Sequence, residues 1–204
     1  DRFHLVAAFA HKVKSVLFQK GTTIKGKELI IGPQVLEKVY VKDRVITADA
    51  LHAQKSFCET ITSRGGGYVF VVKGNQPKLE EDIALFFENP PFKAVIEAFE
   101  NVEKNKGRVE RRTIWMSQDL TDYLDWPGLT HVFKVRRDRS DKNGKSTETV
   151  YGIASLPKEY SSIKDLSKYL RGHWSIENNL HRVRDVSFQE DKSTIRKGHA
   201  PEVM

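Results

Sequence analysis

Cysteine is nearly missing from this chain: one residue, Cys58, in 204. That excludes a disulfide framework and any zinc site built on several thiolates. Cys58 falls in a segment with helical spacing, Gln54 to Ser63, and reads as a small core residue rather than a nucleophile. Long apolar runs are missing too. None approaches the ~18 residues that would span a bilayer, so no membrane partner is expected. The opening residues, Asp1-Arg2-Phe3-His4, run directly into a strand-like stretch with no signal-peptide pattern. No internal repeat or low-complexity tract is visible. These absences point to a reducing, cytoplasmic-type compartment. Hydrophobic residues at 39% and charged residues at 30% fit a soluble domain with a core. The 34 Lys and Arg against 27 Asp and Glu leave a net charge of +7 and a pI near 9.4. Such a balance favours polyanionic partners, because each neutralised phosphate releases condensed counterions. A merely basic soluble protein is equally compatible with the charge alone.

The apolar pattern predicts strands at Phe3 to Ala10 and Val13 to Gln19. A helix follows, best started at Pro33, because Gly32-Pro33 interrupts the spacing of Leu29, Ile30, Val35, Leu36 and Val39. Arg44 to Ala48 is β-branched and ends at Asp49. A helix from about His52 to Ser63 precedes the stop Gly65-Gly66-Gly67. Tyr68 to Val72 is almost continuously apolar, as a strand covered on both faces would be. Lys73-Gly74-Asn75-Gln76-Pro77 turns into a helix over Lys78 to Phe87, with Asn75 a candidate cap. This alternation predicts an α/β domain.

Past Asn89-Pro90-Pro91 the character changes. Val109 to Met116, Val132 to Asp138 and Thr147 to Ala154 read as strands, the last two joined through the hairpin signal Asn143-Gly144. Ser161 to about Arg182 reads as a final helix. The predicted organisation is therefore an α/β part over 1–88, a β-rich insertion over 89–157 and a C-terminal helical segment over 158–204.

Two carboxylates stand out. Asp49 ends an apolar strand, at the sheet edge where ligands of open α/β sheets bind; it equally suits a cap of the next helix. Glu177 lies in Arg171-Gly172-His173-Trp174-Ser175-Ile176-Glu177-Asn178-Asn179-Leu180-His181. Helical spacing brings His173, Glu177 and His181 close to one face. A salt-bridged surface helix would explain Trp174, Ile176 and Leu180 but not the polar positions. Zinc is a minor reading, since the usual two-His pairing around a carboxylate is missing. Asp49 and Glu177 suit a hard cation such as Mg²⁺ or Mn²⁺, which activates a water or hydroxyl for phosphodiester chemistry. Two carboxylates are thin for two ions, and a third is needed. Lys73 and Asn75 could contact phosphate at the neighbouring strand end, or simply form a turn and cap. Arg108, Arg111, Arg112, Lys134, Arg136, Arg137 and Arg139 form a basic stripe in which Arg137 and Arg139 share one strand face, a candidate DNA-binding surface.

The stretches HLVAAFA, VITADALHAQK, GGYVFVVKGNQPKLEEDI, RVERRTIW, WPGL, TVYGIASL and RGHWSIENNLHRVRDVSFQEDKSTIRKGHAPEVM, in this order, resemble the DDE transposases of bacterial insertion sequences, of the H-repeat-associated (ISAs-type) group. They cover nearly the whole chain, and ADALHAQK, KGNQ and HWSIENNLH are its most specific parts. The resemblance implies an RNase H-like fold with a β-rich insertion ahead of the helix that carries the last acidic residue. It also implies two divalent ions, Mg²⁺ or Mn²⁺, and cutting and joining of double-stranded DNA at terminal inverted repeats, with a possible homodimer on DNA in a nucleoid-associated, cytoplasmic setting. Asp49 matches the second acidic residue of the triad and Glu177 the third. His173, Asn178 and His181 match the motif around that glutamate, and Asp185, Glu190 and Asp191 a following acidic stretch.

The first acidic residue of the family lies on a strand ahead of HLVAAFA. Asp1 is too near His4 to replace it, so the first strand and its carboxylate are expected to be missing here. Arg182 and Arg184 stand where relatives tend to carry apolar or aromatic residues. On this reading the chain as written is expected to be inactive or nearly so. A DNA-binding remnant without catalysis, or a product that does not fold, are the alternatives.

Overall fold

The computed structural model describes residues 4–11, 13–22, 27–105, 107–142 and 144–176. The chain divides into two compact units, 1–42 with 170–204, and 43–169.

In the first unit, strands β1 (His4–Ala10) and β2 (Ser15–Thr22) form an antiparallel pair whose register slips between Ala8 and Phe9. Helix α1 (Glu28–Glu37) packs against both. It begins five residues earlier than expected and carries Pro33 inside it. Proline there has no N–H for the i−4 carbonyl, which should break a helix. The residue before it is Gly32, whose lack of a Cβ relieves the usual clash with the proline ring. Ile31, Val35 and Leu36 bury the face that holds this short helix in place.

The second unit is built on one mixed six-stranded sheet, in the order β3-β4-β8-β7-β6-β5. Strands β3 (Val45–Ala48) and β4 (Gly67–Val72) run parallel, Ala48 opposite Phe70. On the far side of β4 lies β8 (Gly144–Ser155), antiparallel, with Phe70 opposite Ile153. Strands β7 (His131–Asp141), β6 (Arg108–Ser117) and β5 (Glu97–Asn105) complete the sheet, each antiparallel to its neighbour. The segments expected as a β-rich insertion thus share a sheet with β3 and β4. Buried between two neighbours, β4 shows why Tyr68 to Val72 is so uniformly apolar.

Helices α2 (Lys55–Thr62) and α3 (Pro77–Glu88) cover one sheet face. The α2 face is Phe57, Cys58 and Ile61, and Phe57 stacks on Phe70 with ring centroids 5.9 Å apart. The α3 face is Leu79, Ile83 and Phe86 at helical spacing, and Glu88 at its end accepts a bond from the Tyr151 hydroxyl on β8. The unit boundary falls within α4 (Ile163–Ile176), so the first turns of α4, with Ile163 and Leu166 buried, belong to the sheet unit. No described helix is long and apolar enough to cross a membrane.

Candidate functional site

Asp49 leaves the C-terminal end of β3, and Lys73 leaves the C-terminal end of the parallel neighbour β4. Both are exposed. Strand ends of this kind present side chains into the crevice beyond the sheet. The cap reading of Asp49 is met, on a 3-10 turn. Its backbone is extended, and its Oδ1 accepts the Ala50 N–H at 2.6 Å, capping the short 3-10 turn Ala50–His52. Among the described residues the carboxylate accepts no further hydrogen bond, so Oδ2 is available as a hard oxygen donor.

The turn after β4 reaches back to the segment that follows Asp49. Asn75 was expected to cap α3, but Gln76 holds the cap position, without a side-chain bond. The Asn75 amide instead donates to the Ala50 carbonyl at 2.7 Å. Gln76 Nε2 donates to the Ala53 carbonyl at 3.1 Å and to Gln54 Oε1 at 3.0 Å. Both carbonyls belong to buried alanines, Ala53 being fully covered. The Ala53 carbonyl finds its donor in this turn, and the Ala50 carbonyl, which already accepts the Ala53 N–H, gains a second one.

The basic stripe on β6 and β7 divides between the two sheet faces, as strand alternation requires. Arg137 and Arg139 do share a face, together with Arg112 and Glu110 across the strand pair. Glu110, with a side chain only 12% exposed, ion-pairs with Arg112, with Arg108 at 2.7 Å, with Arg139 at 3.3 Å and with Arg137 at 3.7 Å. Burial alone would push the Glu110 carboxyl up; Arg112, then Arg137 and Arg139, outweigh it and hold the group below the ordinary glutamate value. Arg137 also meets Glu148 of β8 at 3.4 Å, and its own side chain is 12% exposed. On the opposite face, Lys134 lies over the rings of Trp115 and Tyr151, at 5.4 and 5.9 Å from their centroids. Glu110 as the centre of four arginines escaped the sequence reading. The one signal available was a lone acidic residue inside RVERR.

His173 lies in α4 and is half-buried, with its Nδ1 covered. One residue earlier, Gly172 lets His11 approach so closely that an added Cβ would sit 3.1 Å from His11 Nδ1. Burial lowers the pKa of His11, against a bond involving the Gly172 backbone. Glu177, Asn178, His181, Asp185, Glu190 and Asp191 lie outside the described residues.

Cys58 is a core residue, as its setting in the sequence suggested. Burial pushes its thiol up to about 12, against a bond with Tyr68 that lowers it. Among the described residues no group of three or more His, Cys, Asp or Glu could hold a metal ion. The donor set nevertheless fits a hard divalent cation at one point: Asp49 offers an exposed carboxylate oxygen at a strand end. Asp49 could supply one ligand and could not hold the ion alone.

Residues 2–204 match the Transposase DDE domain family. The chain is 32% identical over 206 residues to "Putative transposase YncI" of Escherichia coli O157:H7, covering 98% of this chain and 53% of that protein. It is also 32% identical over 212 residues to "H repeat-associated putative transposase YhhI" of Escherichia coli (strain K12), covering 98% and 54%. A third relative, "Uncharacterized protein in dhlA 3'region" of Xanthobacter autotrophicus, is 34% identical over 145 residues, 70% of this chain and 49% of that one. Among solved structures, a sugar N-methyltransferase from Streptoalloteichus sp. ATCC 53650 aligns at 13% identity with a TM-score of 0.23, over 57% of this chain and 44% of that one, too low to bear on the fold. The protein is a member of the DDE transposase domain family. It spans about half the length of the curated relatives it matches.

Proposed function

We propose that this chain is part of a DDE transposase that cuts and joins DNA at the ends of an insertion sequence. The observation that carries this is Asp49, an exposed carboxylate at the C-terminal end of a parallel strand, in a chain that matches the transposase family from residue 2 to residue 204. We read the α/β scaffold as RNase H-like. Asp49 is proposed as one metal-binding carboxylate, and Glu177 as another on the strength of its motif. A bound Mg²⁺ or Mn²⁺ would help an attacking water or 3′-hydroxyl lose its proton and would stabilise the leaving oxygen. The contribution of this chain is then to hold carboxylate oxygens in place and to draw in the phosphate backbone.

Lys73, exposed just past the end of the strand that pairs with the one before Asp49, is proposed as a phosphate contact. Arg139, 38% exposed at the rim of the Glu110 cluster, is proposed as another. Arg137 lies deeper, between Glu110 and Glu148. His173, Asn178 and His181 are proposed DNA contacts on their motif alone. The substrate is double-stranded DNA bearing terminal inverted repeats, bound by two copies of the full-length protein.

The test is incubation of the full-length protein with a supercoiled plasmid carrying the repeats. Cleavage at the repeat ends that requires Mg²⁺ or Mn²⁺ and stops with chelator is the expected result. Specific binding of the repeats with no cleavage under either ion would overturn the catalytic reading.

A further inference from the structure

The candidate aspartate sits on a short irregular segment that strand pairing alone cannot fix. β3 ends at Ala48, and the next regular helix starts at Lys55. Between them, local bonds tie His52 N–H to the Asp49 carbonyl and Ala53 N–H to the Ala50 carbonyl. Such a turn is free to shift unless something outside it holds it. The KGNQ turn does so. Asn75 holds the Ala50 carbonyl, while the N–H of that same residue donates to Asp49 Oδ1. One residue is thus gripped at both polar atoms, from one side by the turn after β4 and from the other by the candidate ligand. Gln76 adds a second grip on Ala53 and Gln54. These bonds cross 22 to 25 residues of sequence, so they link the ends of two parallel strands.

We infer that Asn75 and Gln76 are positioning residues: they fix the orientation of the Asp49 carboxylate through the Ala50 and Ala53 carbonyls, and do not themselves bind DNA. The inference rests on the proposed role of Asp49 and adds how that role is maintained. Partners that orient a ligating carboxylate typically matter about 10- to 100-fold in metal affinity. Neighbouring positions supply controls. Lys73 is exposed, and a Cβ at Gly74 would meet nothing within 4 Å.

The experiment uses the full-length protein and its Asn75→Asp, Gln76→Met, Lys73→Ala and Gly74→Ala variants. Three quantities are read: amide hydrogen exchange over 49–54, Mn²⁺ affinity by titration, and affinity for repeat-end DNA without divalent ion. Asn75→Asp and Gln76→Met should each raise exchange over 49–54 about tenfold or more. They should weaken Mn²⁺ binding about tenfold and leave metal-free DNA affinity within twofold. Gly74→Ala should change none of these, and Lys73→Ala only the DNA affinity. If Asn75→Asp does not fold, Gln76→Met carries the same test. Unchanged exchange over 49–54 in either folded variant overturns the inference, as does a loss of metal-free DNA affinity matching that of Lys73→Ala. Asp49→Ala in the same titration separates the two ideas. If it leaves Mn²⁺ binding intact, the metal role of Asp49 fails, while hydrogen exchange still reports on the clamp.

Discussion

Gly152 in β8 lies opposite Phe133 on one side and Val71 on the other, in the middle of the sheet. A Cβ at this position would stand 2.2 Å from Phe133 Cζ, 2.6 Å from its Cε2 and 2.5 Å from the Phe70 carbonyl oxygen. Ordinary contact begins near 3.4 Å, so the ring would have to withdraw by about 1.2 Å. Phe133 is fully buried, and Phe70 is backbone of a strand paired on both sides. Overpacking of this kind costs about 1–3 kcal/mol. Forcing the ring off its rotamer adds about 0.5–1.5 kcal/mol. Gly152→Ala should therefore lose about 1.5–4.5 kcal/mol, read as a lower urea midpoint by far-ultraviolet circular dichroism. In a Phe133→Leu background the ring atoms are gone, and the same substitution should cost at least ~1 kcal/mol less. The residual cost reports the Phe70 carbonyl. A Gly152→Ala protein within about 0.5 kcal/mol of the parent, or a fully additive double mutant, would refute the packing argument.

Cys58 should be inert in the folded protein. With its thiol pushed up to about 12 from 9.0, the thiolate fraction at pH 8 falls from roughly 10⁻¹ to roughly 10⁻⁴; an aromatic disulfide reagent should label it only as the protein unfolds, and rapid native labelling would contradict the placement. His131, almost fully buried, is bonded by Gln118 at its Nε2 and Thr130 at its Nδ1. The simplest assignment is a neutral ring that accepts from Gln118 and donates to Thr130, whose hydroxyl passes the bond on to the Ala154 carbonyl. Burial holds its pKa below 6.5, so the unfolded chain takes up a proton that the fold resists. Stability should be level above about pH 6.5 and fall as pH drops below it, with a slope that His131→Gln reduces by about one proton. His11 contributes a second, separate part of the slope through the same sign. Glu110→Gln should cost about 1.5–3 kcal/mol, because a charged acceptor is withdrawn from four arginines. As the Glu110 carboxyl is depressed in the fold, its contribution is present above the unfolded glutamate value and is lost as pH falls through the folded one, so acid unfolding of the variant should begin from a lower plateau and be shallower.

Much of the scaffold is legible in the sequence because its elements have local causes. The buried run of β4, the helical spacing of Leu79, Ile83 and Phe86, and the close pairing of β7 with β8 through Asp141 and Gly144 all follow from patterns a few residues long. Strand β5 is not legible. EAFENVEKN is polar and charged, as an edge strand can be, and its pairing with β6 supplies what its composition does not. Pro33 misleads for a related reason: the packing of α1 on β1 and β2 outweighs a local rule. At the candidate site, Asp49 is legible from its position after a β-branched strand. The roles of Asn75 and Glu110 are not, because their partners lie 25 and up to 29 residues away and are brought close only by sheet register.

The most direct test of the account is the Asp49→Asn substitution in the full-length protein, assayed for Mg²⁺-dependent cleavage of repeat-end DNA. Asparagine keeps the size of the side chain and an oxygen that can accept the Ala50 N–H, and removes the charge that a hard cation requires. Loss of a ligating carboxylate at about 4 kcal/mol corresponds to a rate decrease of at least ~10³-fold, with DNA affinity unchanged. Cleavage within tenfold of the parent protein would contradict the assignment of Asp49 and, with it, the central claim.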